Sequence, residues 1–455
     1  MKKERFIVIG GVAAGMSAAS RARKLRPDLE IMVFERSGYV SYAACGMPYM
    51  ISDKVKSSDN LVVYDARFFR EKRGIEVFLH HEVIRIFPQR KEVLVRNIGT
   101  DEEREYSYDK LLISTGARPL IPPIKGTDLK GVFTLRLLEE GEAIKKYIVD
   151  NSPKKGLILG AGYVGMEMAE AFTEAGIKVT IVEKMPNILG TMDNEITEIV
   201  EEELTRKEVT LIKSRAVAEF RGEDSYLRRA ILDDGGSIDA SIALIGAGIR
   251  PNLEIAKDAG IELGRFAIQV NEKMETNVPN IYAAGDCAEA YHLVLGRNVY
   301  IPLGTTANKQ GRVAGENIAG GNVSFAGIVG TAVFKVFDLE VGRTGITEKE
   351  AVNEGINCRS KVIEHISRAH YYPGASKIRI KLIADRKTGV LLGAQLVGRE
   401  GVAKRTDVLA TAITAKMTAH EIRNLDLGYA PPFAPVYDPI IISADELQKD
   451  ISDNI

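Results

Sequence analysis

Leu157-Ile-Leu-Gly160-Ala-Gly162-Tyr-Val-Gly165, a helical run through Phe172, Gly176 and then Val179-Thr-Ile-Val-Glu183 read as strand, glycine turn, helix and strand. In a G-x-G-x-x-G turn the first glycine makes the tight bend and the second lets backbone approach a pyrophosphate. The third packs helix on strand, and the helix N-terminus faces the negative charge. Glu183 follows at the distance where a carboxylate accepts from adenosine ribose hydroxyls. Residues 5–36 repeat the plan as Phe6-Ile-Val-Ile9, Gly10-Gly11-Val12-Ala13-Ala14-Gly15, an Ala-rich helix to about Leu25 and Ile31-Met-Val-Phe-Glu35. Val12 replaces the middle glycine, but Glu35 keeps the ribose position.

Each unit ends on a related segment, Leu111-Leu-Ile-Ser-Thr115-Gly116-Ala-Arg118-Pro119 and Ala243-Leu-Ile-Gly-Ala247-Gly248-Ile-Arg250-Pro251. The internal repeat is therefore one of whole domains. Ile281-Tyr-Ala-Ala-Gly285-Asp286 and a helix near Gln310 to Ile318 return to the first unit, which makes it discontinuous. From about Ala326 the texture changes to alternating strands, Lys377-Ile-Arg-Ile-Lys-Leu-Ile and Val390-Leu-Leu-Gly-Ala-Gln-Leu-Val, with a helix from about Thr406 to Met417 suited to a subunit contact. The expected fold is α/β, with two Rossmann-like domains over 1–118 plus 249–325 and over 119–248, and a C-terminal α+β domain over 326–455.

The 455 residues fit about three domains at roughly 150 each. With 61 Lys plus Arg against 62 Asp plus Glu, the chain lacks the charge footprint of a nucleic-acid or anionic-membrane partner. The basic start and the short apolar run that follows from Phe6 to Ala19 imitate a signal peptide, but the glycines Gly10, Gly11 and Gly15 fall where a strand turns into a helix. No stretch reaches the roughly 18 apolar residues of a membrane span, and a cytoplasmic location is expected. The six histidines show no ligand spacing, so no metal is expected.

Three cysteines, Cys45, Cys287 and Cys358, form no C-x-x-C pair, so any thiol chemistry runs on one sulfur at a time. In Val40-Ser41-Tyr42-Ala43-Ala44-Cys45-Gly46-Met47-Pro48-Tyr49, Cys45 stands at a helix start, a position expected to lower its pKa. Cys287 and Cys358 read as structural. Glu183 would repel the 2′-phosphate of NADPH, partly offset by Lys184, which favours NADH.

With these residues assembled, the chain resembles the FAD-dependent pyridine nucleotide-disulfide oxidoreductases. Within that family it is similar to the single-cysteine branch of coenzyme A disulfide reductases and NADH-dependent persulfide or polysulfide reductases. The markers are Gly10 to Gly15 with Glu35, Thr115-Gly116, Gly160 to Gly165, Ala284-Gly285-Asp286, the Cys45 segment, His370-Tyr371-Tyr372-Pro373-Gly374 and Tyr429-Ala-Pro-Pro-Phe433. The resemblance implies FAD in the first domain, held by Gly10, Gly15, Glu35, Arg36, Thr115, Gly116, Asp286, Thr305 and Ala307. It implies NADH or NADPH in the second, at Gly160, Gly162, Tyr163 as a movable gate, Gly165, Glu183, Lys184 and Gly248.

The resemblance further implies a homodimer with shared active sites, in which Tyr371 and Tyr429 serve the partner's Cys45. Coenzyme A, as substrate or as a mixed disulfide on Cys45, would lie along Ser17, Arg21, Lys24, Ser41, Ala44, Arg73 and Asn308. The implied activity is NAD(P)H-dependent reduction of coenzyme A disulfide or related persulfide and polysulfide sulfur. The alternatives are an NAD(P)H oxidase reducing oxygen, disfavoured by Ala13 where the oxidases carry a histidine, and a flavin-bearing redox sensor. No rhodanese-like segment follows Ile455, so sulfur delivery is expected from elsewhere.

Overall fold

A computed structural model describes residues 3–452, so Met1, Lys2 and Ile455 lie outside the described residues. The first sheet runs, in spatial order, Ile281–Ala283, Lys110–Ile113, Arg5–Ile9, Glu30–Glu35 and Glu76–Leu79, all parallel. Its outer strand Ile281–Ala283 comes from beyond the second unit. The second sheet, also parallel, runs Thr210–Lys213, Lys178–Glu183, Lys155–Leu159, Ile242–Ile245 and Val132–Phe133. Phe6–Ile9 and Leu157–Leu159 are buried along their whole length, as strands covered on both faces require.

The domain repeat goes further than the glycine turns. Before its closing strand, each unit carries a three-stranded antiparallel insert, His81–Phe87, Glu92–Asn97 and Glu103–Ser107 in the first, Val217–Glu223, Tyr226–Leu232 and Ser237–Asp239 in the second. The two related closing segments pair with each other as antiparallel strands, Ala117 opposite Pro251, Arg118 opposite Arg250 and Pro119 opposite Ile249. Thr115 Oγ1 donates to Asn252 O at 2.9 Å and Asn252 Nδ2 donates to Thr115 O at 2.8 Å, which pins this crossing.

The third sheet is antiparallel, in the order Ala332–Val336, Leu339–Gly345, Leu391–Gly398, Lys377–Asp385 and Cys358–Ile366. The helix expected from about Thr406 runs Val402–Thr414 instead. Gly401, at φ 70°, turns the chain into it, and buried Arg405 anchors its first turns by pairing with Asp438 at 2.9 Å. This helix buries Val402, Leu409, Ala412 and Ile413 in the core of its own domain.

The helices Ala13–Leu25 and Gly304–Ile318 pack at backbone distance. A Cβ on Gly311 would stand 2.3 Å from Ala14 O, and one on Gly315 2.3 Å from Ala18 O. That closeness brings Ser17 and Asn308, one from each helix, to a shared surface. No described helix is long and apolar enough to cross a membrane.

Candidate active site

Gly10 and Gly160 take φ values of 96° and 97°, a backbone region that only glycine enters freely. A Cβ on Gly15 would lie 1.9 Å from Gly10 O, and one on Gly165 2.1 Å from Gly160 O, so the turns themselves demand the first and last glycines. Gly162 differs, because a Cβ there would meet nothing within 4 Å. The protein's own packing does not require its smallness.

The helices Ala13–Leu25, Tyr163–Glu174 and Gly304–Ile318 all begin without a side-chain cap and without an acidic residue in the first turn. Free N–H groups, a positive helix end and open space over Gly162 fit one phosphorylated dinucleotide at each glycine turn.

Each expected ribose carboxylate also braces its own turn. Glu35 accepts from Gly11 N at 2.7 Å and Ser37 N at 2.9 Å, and Glu183 from Ala161 N at 2.7 Å and Met185 N at 2.8 Å. Each carboxylate oxygen keeps a further lone pair for a ligand. Arg36 and Lys184 are exposed just past these strand ends.

Asp286 receives Arg136 Nη2 at 2.5 Å, and the same nitrogen would lie 3.7 Å from a Cβ on Gly116. Arg136 therefore stands between two residues expected to hold FAD. A lone arginine in Thr134-Leu-Arg136-Leu carries no motif, so nothing local marks it. Thr305 and Ala307 lie in the first turn of Gly304–Ile318, and Gly248, at φ 109°, has open space where a side chain would be.

Cys45 lies in the short turn Ala44–Gly46 that leads into Met47–Ile51. Ser41, at φ 50°, holds an uncommon left-handed conformation, its N–H donating to Gly11 O and its carbonyl accepting from Val63 N. The expected lowering of the thiol pKa is corrected. Although the residue as a whole is exposed, the protein around the thiol desolvates it and the Glu167 carboxylate repels its negative form, so its pKa is held above the ordinary value. The helix that follows has only five residues, too short a dipole to outweigh both.

Burial first, then the charge of Glu170, pushes Glu167 up to about 7. Its spacing four residues after Tyr163, on one helix face, was the available signal for it. Above that value Glu167 is charged and suppresses the Cys45 thiolate. Glu167→Gln is therefore expected to speed iodoacetamide alkylation of Cys45 about 2- to 5-fold at pH 8, with the two rates converging below pH 6, where Glu167 is already neutral.

A groove of about 570 Å³ opens beside the cysteine segment. It gathers Ser17, Arg21, Lys24, Ser41, Arg73 and Asn308, six of the seven residues expected for coenzyme A. Ala44 lies just beyond lining residues Tyr42 and Ala43. Ser17 Oγ donates to Asn308 Oδ1 at 2.6 Å, and Arg21 is paired with Glu316 at 2.5 Å.

Sequence reading missed Arg312, one helical turn after Asn308, and an aromatic platform of Tyr64 stacked on Phe68 at 4.3 Å. The Arg73 guanidinium lies 5.5 Å from both ring centres. Helical spacing could have found Arg312, but nothing local marks the platform.

The hydroxyls of Tyr371 and Tyr429 are 3.2 Å apart, and the two residues are 65% and 47% exposed, as their sequence neighbours Tyr372, Phe433, Val436 and Tyr437 also are exposed. Cys287 is buried, its thiol donating to Ile113 O and Ala284 O at 3.4 Å, and Cys358 opens the strand Cys358–Ile366. Among the described residues no group of three His, Cys, Asp or Glu is placed to hold a metal ion.

Residues 4–311 match the family described as pyridine nucleotide-disulphide oxidoreductase, and residues 331–439 match its dimerisation domain. A CoA-dependent NAD(P)H sulfur oxidoreductase of Pyrococcus furiosus is 44% identical over 98% of this chain and 100% of its own. An NADH oxidase of Methanocaldococcus jannaschii is 38% identical over 98% and 99%. The solved structure of an NAD-dependent persulfide reductase from A. fulgidus superposes with a TM-score of 0.95 at 40% identity, covering 99% of this chain and 84% of the other.

Proposed function

The chain belongs to the pyridine nucleotide-disulphide oxidoreductase family, and we propose that within it this protein uses NAD(P)H to reduce coenzyme A disulfide or the sulfane sulfur of coenzyme A persulfide and polysulfide. The observation that carries this reading is the groove that brings Ser17, Arg21, Lys24, Ser41, Arg73 and Asn308 to the Cys45 segment. Its basic residues suit the phosphates of coenzyme A, whose thiol end would then lie toward Cys45.

FAD, held by the first glycine turn, Glu35, Thr115, Gly116 and Asp286, supplies the relay of two electrons from NAD(P)H to sulfur. On the protein side, the Cys45 thiolate attacks one sulfur of the acceptor, forming a mixed disulfide with coenzyme A and expelling the other sulfur as a thiolate or hydrosulfide. Two electrons then cleave the mixed disulfide, returning the Cys45 thiolate and releasing coenzyme A as a thiol. No second cysteine of the chain takes part.

The same reading pairs two copies through the C-terminal domain. Tyr371 and Tyr429 then lend their hydroxyl protons to the thiolate leaving the partner subunit's Cys45. Ala13, where the oxidases of the branch carry a histidine, weighs against oxygen as the natural acceptor.

The test is an anaerobic steady-state comparison of coenzyme A disulfide, coenzyme A persulfide, polysulfide and elemental sulfur with NADH and NADPH, set against oxygen consumption. A coenzyme A-linked acceptor is expected to turn over at least about tenfold faster than oxygen. Faster oxygen consumption would replace this reading with an oxidase.

A further inference from the structure

Tyr163 begins its helix immediately after Gly162. On the same helix face, Glu167 influences Cys45, and Glu170 binds Lys54 at 2.6 Å and Lys335 at 3.0 Å. That face therefore looks from the second glycine turn toward the cysteine segment. A nicotinamide extending from a dinucleotide seated over Gly162 would meet Tyr163, the next residue.

Two contacts fix the Tyr163 side chain. Its hydroxyl lies 2.8 Å from Thr191 Oγ1, and its ring packs on Phe334 with centroids 4.6 Å apart. Phe334 belongs to the first strand of the third sheet, Ala332–Val336.

Thr191 belongs to the second unit but is anchored to that same C-terminal domain. Its carbonyl accepts from Arg343 Nη1 at 2.5 Å, and Arg343, only 6% exposed, also binds Gly345 O at 3.0 Å and Glu350 at 2.9 Å. Two residues on, Asp193 N donates to Gln395 at 2.7 Å, and Asp193 shares buried Lys381 with Glu195 and Glu348. The 191–195 segment cannot shift against the third sheet without breaking this buried network.

We propose that Thr191 and Phe334 form a latch for Tyr163, acting as positioning residues that hold the gate in its resting place until the nicotinamide displaces it. The C-terminal domain thereby sets how readily the nucleotide reaches its site. This inference rests on the proposed nucleotide site at Gly162 and not on which sulfur compound is reduced.

The latch opposes nucleotide entry, so losing its hydrogen bond tightens binding. In the holoenzyme, the Kd of NAD⁺ measured by titration calorimetry without turnover is expected to fall about 2- to 10-fold in Thr191→Val. Thr191→Ser, which keeps the hydroxyl, should retain the wild-type Kd. Tyr163→Phe should tighten binding by the same factor as Thr191→Val, and the double variant should gain nothing more, because both remove one bond.

Unchanged or weaker NAD⁺ binding in Thr191→Val, or an additive double variant, would overturn the latch. If the chain reduced no sulfur acceptor while this Kd pattern held, the acceptor assignment would fail and the latch would stand. Loss of folding in Thr191→Val, seen by calorimetric melting, would move the decision to Tyr163→Phe, where an unchanged Kd overturns the proposal.

Discussion

Cys45→Ser is expected to lower turnover with coenzyme A disulfide by at least about a thousandfold, the scale of loss when a nucleophile is removed from a catalytic constellation. The reasoning is one of place and chemistry. A serine hydroxyl at the same position does not ionise usefully near neutral pH, and it cannot form the disulfide on which the cycle turns. Neither remaining cysteine substitutes for it. Cys287 is fully buried with its thiol donated to two backbone carbonyls, and Cys358 sits at the start of a strand in the C-terminal sheet. Anaerobic steady-state assays measure the loss, and intact-protein mass analysis should find a coenzyme A adduct on the wild type that the variant lacks. Turnover within tenfold of wild type would remove Cys45 from its proposed role.

The second large effect separates two glycines of one turn. Gly165→Ala places a Cβ 2.1 Å from Gly160 O, a backbone atom that cannot rotate away. Overpacking of this kind costs about 3 kcal/mol, or several degrees in melting temperature for a domain of this size. Gly162→Ala meets no neighbour within 4 Å, and at φ −85°, ψ −172° its backbone suits any residue. Melting should therefore shift by less than about 1 °C, while the Kd for NAD⁺ weakens at least about tenfold, because the added methyl occupies the space where backbone approaches the pyrophosphate. Calorimetric melting and nucleotide titration on both variants check the pair. Equal melting temperatures for the two would show that the turn relaxes around Gly165. Unaltered nucleotide binding in Gly162→Ala would place the pyrophosphate elsewhere.

The architecture was legible because its signals are local. A buried parallel strand, a glycine turn and a helix are specified within about thirty residues, so both units, the return of the chain to the first sheet and the change of texture after Ala326 could all be read from residue order. The cysteine segment was equally local. The repeated closing segments announced a domain repeat, but their pairing with each other required the two units to be set side by side.

What the sequence by itself determined, then, was which backbone turns exist, which single cysteine stands at a helix start, and that two glycine turns of one design share the chain. Tertiary structure alone decided how those parts are tuned. Folding desolvates the Cys45 thiol and sets the Glu167 carboxylate near it, which turns an expected lowering of its pKa into a rise. It also sets Arg136 against Asp286, stacks Tyr64 beneath Arg73, and ties Tyr163 to Thr191 and Phe334. The physical reason is one of range. Turns and periodicity are set by dihedral angles of neighbouring residues, whereas charge, desolvation and ring packing act through space between residues far apart in the chain, and no spacing in the sequence records their distance.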